Sequence, residues 1–246
     1  IVFHRFSEAN DVIENSLQNI ETDQPIYRLL ISDLLVQRAI LHNIRHEYEQ
    51  AIENLNEAIA IKTELLDDEA VDLARLYVET AVVLRNLGKY NEALTSLERA
   101  HNIDNLHFNE NHIYFARILL EQGKTYLEKR SEFVAQEHLK EALVIYSKQR
   151  NQNIKQHADT AEALGRVYLE SSRLLHALEM FEKALSIRQA IYVGSHSEIS
   201  DALKNQEKTL LQILDSDARD DEKTTARQKL KRVRTLLRQH DNKTSS

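Results

Sequence analysis

The sequence predicts an all-α fold, a solenoid built from antiparallel helix pairs. Only four glycines and one proline occur in 246 residues, a composition that favours long helices joined by short turns. Small and apolar residues recur at spacings of three and four, as they do on one face of an α-helix. The whole pattern also returns every 42 residues, and a fixed period of this length indicates a repeat architecture.

The 42-residue period is clearest from the segment GKYNEALTSLERA, residues 88–100. Six positions keep their character over four copies without any insertion, so chance is a poor explanation. Equivalent positions in the four copies form a column. Four columns hold small or large apolar residues of the second helix in each copy, and two columns belong to the helix before it. The columns are Ala51, Ala93, Ala135 and Ala177; Leu55, Leu97, Leu139 and Phe181; Ala58, Ala100, Ala142 and Ala184; Ile61, Ile103, Ile145 and Ile187; Ala39, Ala81, Gly123 and Gly165; and His42, Leu84, Tyr126 and Tyr168.

Each copy is predicted to contain a helix A, a turn near Gly88 and a helix B. Small residues such as Ala81 and Ala93 would let the two helices of one copy approach closely. Ala100 would let helix B lie against helix A of the next copy, and large residues such as Leu97 would fill the remaining space. The alanines are therefore expected to be packing residues.

The small–large–small pattern, with GxYxxA at residues 88–93, resembles the tetratricopeptide repeat (TPR) family over about residues 32–190. The 42-residue step and the segment ALSIRQAIYVGSHSEIS, residues 184–200, resemble the kinesin light chain type of this repeat. The resemblance implies a right-handed superhelical solenoid. Two family features are reduced here: the large aromatic early in helix A occurs only as Tyr77, and Asn105 stands where a proline often closes a repeat.

The register of the repeat predicts the organisation of the chain, and we expect the chain to be part of a larger protein because it opens on Ile1. Pro25 can open a helix A, since a missing N–H costs little in the first turn. The expected parts are helix B of a truncated repeat at 1–22, four repeats at 25–66, 70–106, 112–149 and 156–192, a degenerate fifth helix A at 198–214, a basic capping helix at 222–240 and a tail at 241–246.

The resemblance implies that helix A lines a concave groove in which a protein or peptide partner binds. Arg75, Arg117 and Arg166 could each hold a carboxylate or phosphate in bidentate fashion. The alternative is that these charges pair with one another and bind nothing. The predicted groove residues are Asp33, Gln37, Arg75, Glu79, Val82, Asn86, Arg117, Glu121, Lys124, Asp159, Arg166 and Asn205.

Two groove chemistries of the family are not reproduced. The clamp for a C-terminal carboxylate needs a basic or amide residue where this chain has Val36, Val78, Leu120 and Glu162. The asparagine-lined groove of kinesin light chains is replaced by Gln37, Glu79, Glu121 and Ala163. The resemblance therefore names no ligand.

The sequence contains no catalytic motif of the GxxxxGK[ST], GxGxxG, GxSxG or HExxH type, so we expect neither an enzyme, nor a cofactor, nor a small-molecule substrate. His42 and His46 have the i, i+4 spacing of a helical metal site, but no third ligand follows, and no metal is predicted. The chain has no cysteine, which excludes disulfides and fits a reducing compartment, and we expect a cytoplasmic location.

The C-terminal segment TTARQKLKRVRTLLRQH is a second functional candidate. Residues 223–243 carry a net charge of +7, so residues 1–222 carry −14. Arg227, Lys231, Arg234 and Arg238 form one positive stripe that could meet nucleic acid or an anionic membrane. No aromatic residue interleaves with them, which argues against base stacking. The favoured interpretation is a cap that is attracted to the acidic body.

The predicted function is therefore a protein–protein interaction scaffold that binds a peptide or partner helix in its groove. One alternative is a regulatory sensor array that controls an attached ATPase or DNA-binding module. The other is contact with an anionic membrane or nucleic acid through the basic C-terminal helix.

Overall fold

The structure, a computed structural model, describes residues 2–19, 24–109, 112–148, 153–192 and 197–244. These residues form eleven α-helices and no β-strand, so the predicted all-α class is confirmed. The helices are α1 (Val2–Asn19), α2 (Pro25–Ile44), α3 (Tyr48–Leu65), α4 (Val71–Asn86), α5 (Tyr90–His107), α6 (Ile113–Glu128), α7 (Glu132–Lys148), α8 (Ile154–Glu170), α9 (Leu174–Ile191), α10 (Ser197–Asp215) and α11 (Asp220–Thr244).

The chain divides into two compact units, Ile1–Glu121 and Gln122–Ser246. In the first unit, α2 packs along α3 and α4 along α5, and α3 also contacts α4. In the second unit, α8 packs along α9, and α9, α10 and α11 follow as consecutive neighbours. Within each unit, these helices pack against their neighbours in the sequence, as the short turns require.

The turns inside the helix pairs share one geometry. At the same register of each copy, His46, Gly88, Arg130 and Ser172 have φ values of 63°, 81°, 60° and 57°. The next amide then donates back to the carbonyl five residues earlier, as in Lys89 N to Leu84 O at 2.8 Å and Arg173 N to Tyr168 O at 2.8 Å. This bond closes the helix C-terminus as a Schellman motif. Only one of the four positions has the glycine that the left-handed conformation favours.

The alanine columns lie at the centre of the packing. Ala93 and Ala100, together with their equivalents in the other copies, have no exposed surface. Glycine replaces alanine in helix A where the facing side chain comes closer still. A Cβ on Gly123 would lie 2.5 Å from Leu139 Cγ, and one on Gly165 would lie 2.7 Å from Phe181 Cε1. The small residues therefore let the large residues of helix B reach the backbone of helix A.

Two expectations change in detail. His42 is only partly buried, unlike Leu84 at the same repeat position, and its Nδ1 lies 2.6 Å from Glu47 Oε2, so it also serves as a hydrogen-bonding residue. The C-terminal helix begins at Asp220 and continues to Thr244, into the segment expected to be a tail. Residues 245–246 lie outside the described residues.

Candidate functional site

The first unit contains a pocket of about 290 Å³ between the exposed faces of α2 and α4. Residues spaced by three and four on each helix share a face, so α2 and α4 each contribute four side chains. Four of the predicted groove residues, Asp33, Gln37, Arg75 and Glu79, meet there. The complete lining, called the unit 1 pocket below, is Asp33, Val36, Gln37, Ile40, Lys62, Asp72, Arg75, Leu76 and Glu79.

Lys62 of α3 forms the floor of the unit 1 pocket. Its side chain is only 8% exposed, and its Nζ donates to Asp33 Oδ1 at 2.8 Å and lies 3.9 Å from Asp72 Oδ2. Lys62 is not among the predicted groove residues, because they were chosen from helix A alone and Lys62 belongs to helix B. The sequence does mark this position. The 42-residue step from Lys62 gives Asp104, Tyr146 and Arg188, which are polar residues on helices that otherwise bury apolar residues.

Arg75 is the most available cation of the unit 1 pocket. Its side chain is 66% exposed, and its ion pair within the described residues is a long one, with Nη1 3.8 Å from Asp72 Oδ1. The other two predicted arginines are engaged more closely. Arg117 donates from Nη2 to Glu79 Oε1, and Arg166 Nη2 lies 3.2 Å from Glu128 Oε1. Pairing between charges thus accounts for two arginines and leaves Arg75 displayed.

The remaining predicted residues of helices α4 and α6 lie outside this pocket. Glu121 is only 7% exposed, with Arg85 Nη2 3.2 Å from its Oε2, so it is not the surface residue that was expected. The physical reason is that Arg85 of α4 covers it. Asn86 donates from Nδ2 to Asn43 Oδ1 at 2.9 Å, while Val82 and Lys124 are half-buried.

In the second unit, Asp159 and Asn205 belong to a network around the buried Arg188. Arg188 Nη2 lies 3.0 Å from Asp159 Oδ1 and also contacts Glu162, and Nε lies 3.5 Å from Glu198 Oε2. Asn205 Nδ2 donates to Glu162 Oε1 at 2.9 Å. Burial disfavours the charged guanidinium, but the carboxylates of Glu162 and Asp159 outweigh it and raise the pKa of Arg188. These two predicted residues therefore have a structural role here.

Comparison with known families decides the identity of the repeat. Two family profiles, both described as tetratricopeptide repeat, match residues 30–105 and 157–198. This chain carries tetratricopeptide repeats. Both matched segments lie almost entirely within the region where the sequence predicted tetratricopeptide repeats.

Solved structures are similar to this chain over most of its length. BtubC (BKLC) from P. vanneervenii aligns with a TM-score of 0.71 and 20% identity, covering 97% of this chain and 92% of that chain. A putative kinesin light chain from Podosopora anserina, with nearly identical TPR-like repeats, gives 0.61 and 17%, covering 91% and 98%. Pseudomonas aeruginosa pilF gives 0.59 and 22%, covering 87% and 78%. At these identities the likeness concerns the fold, and it confirms the predicted TPR-like solenoid class. Comparison with curated proteins finds no match.

Tetratricopeptide repeats are typically interaction scaffolds and not enzymes. Among the residues that the structure describes, no three His, Cys, Asp or Glu side chains are grouped to hold a metal ion. His46 Nδ1 lies 2.7 Å from the Tyr48 hydroxyl and His42 Nδ1 lies 2.6 Å from Glu47 Oε2, so one ring nitrogen of each histidine is engaged in a hydrogen bond. No helix in the described ranges is long and apolar enough to cross a membrane.

Helix α11 packs on the last helices of the repeat array. Ala226, Leu230 and Val233 are buried in one cluster with residues of α9 and α10. Lys229 Nζ lies 2.7 Å from Glu182 Oε1, and Arg234 Nε lies 2.6 Å from Glu207 Oε1. The predicted basic stripe is thus divided: Arg234 is bonded to α10, whereas Arg227, Lys231 and Arg238 are exposed and have no ion pair in the described part of the chain.

Proposed function

We propose that these tetratricopeptide repeats bind a protein partner, as an extended peptide or a helix, on the surface around the unit 1 pocket. The observation that carries the proposal is the convergence of Asp33, Gln37, Arg75 and Glu79 on one pocket. These residues were selected by repeat position alone, and they come from two helices of different copies.

The chemistry of the unit 1 pocket suits a polypeptide. Val36 and Ile40, which are partly exposed, offer apolar surface on which a partner side chain can be buried. Asp33 and Asp72 present carboxylates at the rim, and Arg75 presents a guanidinium. Charges of both signs beside an apolar patch fix the register of a bound segment more than they add to its affinity.

Affinity capture followed by mass spectrometry tests this proposal. Arg75→Glu reverses the displayed charge, and Arg99→Glu is the matched control because Arg99 is equally an exposed arginine of unit 1 but lies outside the pocket lining. The captured protein should then be purified and titrated against each variant. We expect Arg75→Glu to weaken binding about 10-fold or more, and Arg99→Glu to change it less than about 2-fold. Equal binding by the two variants would refute the proposal.

Arg117 is a poorer probe than the sequence suggested. Its guanidinium is bonded to Glu79, so Arg117→Glu would set two carboxylates against each other and disturb the surface by itself. The charge reversal is therefore best confined to Arg75.

A second candidate function rests on helix α11. The exposed Arg227, Lys231 and Arg238 are free to meet a polyanion such as RNA or an anionic lipid surface. The triple change of these residues to Gln, with Arg234 retained to hold the cap, tests this function. Salt-sensitive binding of the intact chain to RNA or to phosphatidylserine vesicles, lost in the triple variant, would support it, and absence of binding by the intact chain would exclude it.

A further inference from the structure

Asp104 of α5 is a buried acid at a repeat position where two other copies have a buried cation. Three copies have Lys62, Asp104 and Arg188 at this register. Lys62 pairs with the residue 29 positions earlier, Asp33, and contacts the residue 10 positions later, Asp72. Arg188 uses the same two separations, to Asp159 and Glu198, and also contacts Glu162, 26 positions earlier. The register thus defines a fixed set of neighbours.

Applied to Asp104, the same separations give Arg75, Val78 and Tyr114. The second copy therefore has the charges of the first copy exchanged: an acid replaces Lys62, and an arginine replaces Asp33. The exchanged partners do not meet in the structure. Asp104 is only 3% exposed and its Oδ1 has no hydrogen-bond partner, while Arg75 is turned toward Asp72 and the unit 1 pocket.

A buried carboxyl oxygen without a hydrogen-bond partner makes the ionised form of the group unfavourable. Burial raises the pKa of Asp104 to about 6, and the nearby His107 opposes this rise. The pairs Lys62–Asp33 and Arg188–Asp159 show that side chains at these two positions reach each other at 2.8 and 3.0 Å. A cation therefore lies within reach of Asp104.

We infer that Asp104 is a positioning residue for Arg75: the buried carboxylate draws the Arg75 guanidinium out of the unit 1 pocket, and so sets whether that pocket presents a cation. Protonation of Asp104 removes the attraction and leaves Arg75 displayed as the structure shows it. The inference rests on the proposed function, because the position of Arg75 affects binding only if a partner contacts the unit 1 pocket.

The other charged and titratable groups around Asp104 do not replace Arg75 in this role. On its own helix, His107 lies one turn away, and its Nε2 is 2.7 Å from Glu69 O. On α4, Asp72 has the same charge as Asp104 and holds Arg75 only at 3.8 Å. On α6, Arg117 is bonded to Glu79, and Tyr114 packs against Phe108 and His112.

The test measures the pKa of the Asp104 carboxyl by carbon-13 NMR, using the chain alone. Asp104→Asn identifies the signal, and the titration is then compared in the unmodified chain, Arg75→Gln, Arg75→Lys and Arg99→Gln. Arg75→Gln should raise the pKa of Asp104 by about one unit or more, since an adjacent guanidinium favours the ionised form by that amount. Arg75→Lys should restore most of the difference, because it keeps a cation of similar reach.

Arg99→Gln controls for loss of a positive charge from the surface of unit 1. A change in Arg75→Gln no larger than that in Arg99→Gln would overturn the inference. The result is separable from the proposed function. Asp104 and Arg75 can be coupled in the free chain even if partner binding does not depend on Arg75. In that outcome only the proposed function fails.

Discussion

Arg188 and Asp159 of the last complete helix pair repeat the pairing of Lys62 with Asp33 in the first, at 3.0 and 2.8 Å. In both pairs a buried cation on helix B is matched by carboxylates on helix A and on the next helix A. The two sites differ in the exposure of the acids. Those around Arg188 are about one quarter exposed, whereas Asp33 and Asp72 are half exposed or more.

This difference predicts unequal costs for removing the cation. Arg188→Met would leave three partly buried carboxylates together, and we expect it to lower the free energy of unfolding by about 2–4 kcal/mol. Lys62→Met leaves acids that water can solvate, and we expect a loss of about 1 kcal/mol. Urea denaturation of the two variants checks the order, and equal losses would contradict this account of the two sites.

The raised pKa of Asp104 predicts a pH-dependent stability. Because the folded pKa, about 6, exceeds the value in the unfolded chain, Asp104 costs stability as the pH rises from about 4 through 6, and the cost stays constant above that range. Asp104→Asn removes the ionisation. We expect the variant to match the unmodified chain in stability near pH 4 and to exceed it by on the order of 1–2 kcal/mol at pH 7.5.

Urea denaturation at the two pH values measures this difference. Other groups titrate in both proteins, so only the difference between them reports on Asp104. A difference in stability that is the same at pH 4 and pH 7.5 would show that folding does not raise the pKa of Asp104.

The alanine columns predict a penalty for added volume. Ala93 has no exposed surface, so Ala93→Leu must displace neighbours in the first unit and should cost about 1–3 kcal/mol. Ala135→Leu should behave alike in the second unit. Ala60→Leu on the exposed face of α3 is the control and should change the melting temperature little. Unchanged stability of both buried variants would contradict the assigned register.

The left-handed turn residues predict a gain of stability. Ser172 has φ 57° and is exposed, so Ser172→Gly removes the steric cost of that conformation without removing buried contacts. We expect a gain of about 0.5–1 kcal/mol in the free energy of unfolding. Ser172→Ala is the matched control, since it shortens the side chain but keeps the Cβ, and it should give no gain.

The packing of this chain followed from its sequence, whereas its charged contacts did not. Ala93, Leu97 and their equivalents could be placed because burial depends on a periodicity that any copy reveals. The burial of Glu121 could not be foreseen, since it depends on how Arg85 lies across it. Lys62 belongs to a helix B, whereas the groove residues were predicted on helix A, and its place in the pocket depends on contacts to two other helices.

The exchanged charges of the second copy also bear on how the chain reaches this fold. Repeats of one length and one pattern can pair wrongly, with a helix A joining the helix B of another copy. A pair formed by α2 and α5 in this register would set Asp33 against Asp104, two acids, and a pair formed by α4 and α3 would set Arg75 against Lys62, two bases. Either mismatch would place a like charge beside the buried Asp104 or Lys62, so the exchange disfavours misassembly of the first two copies.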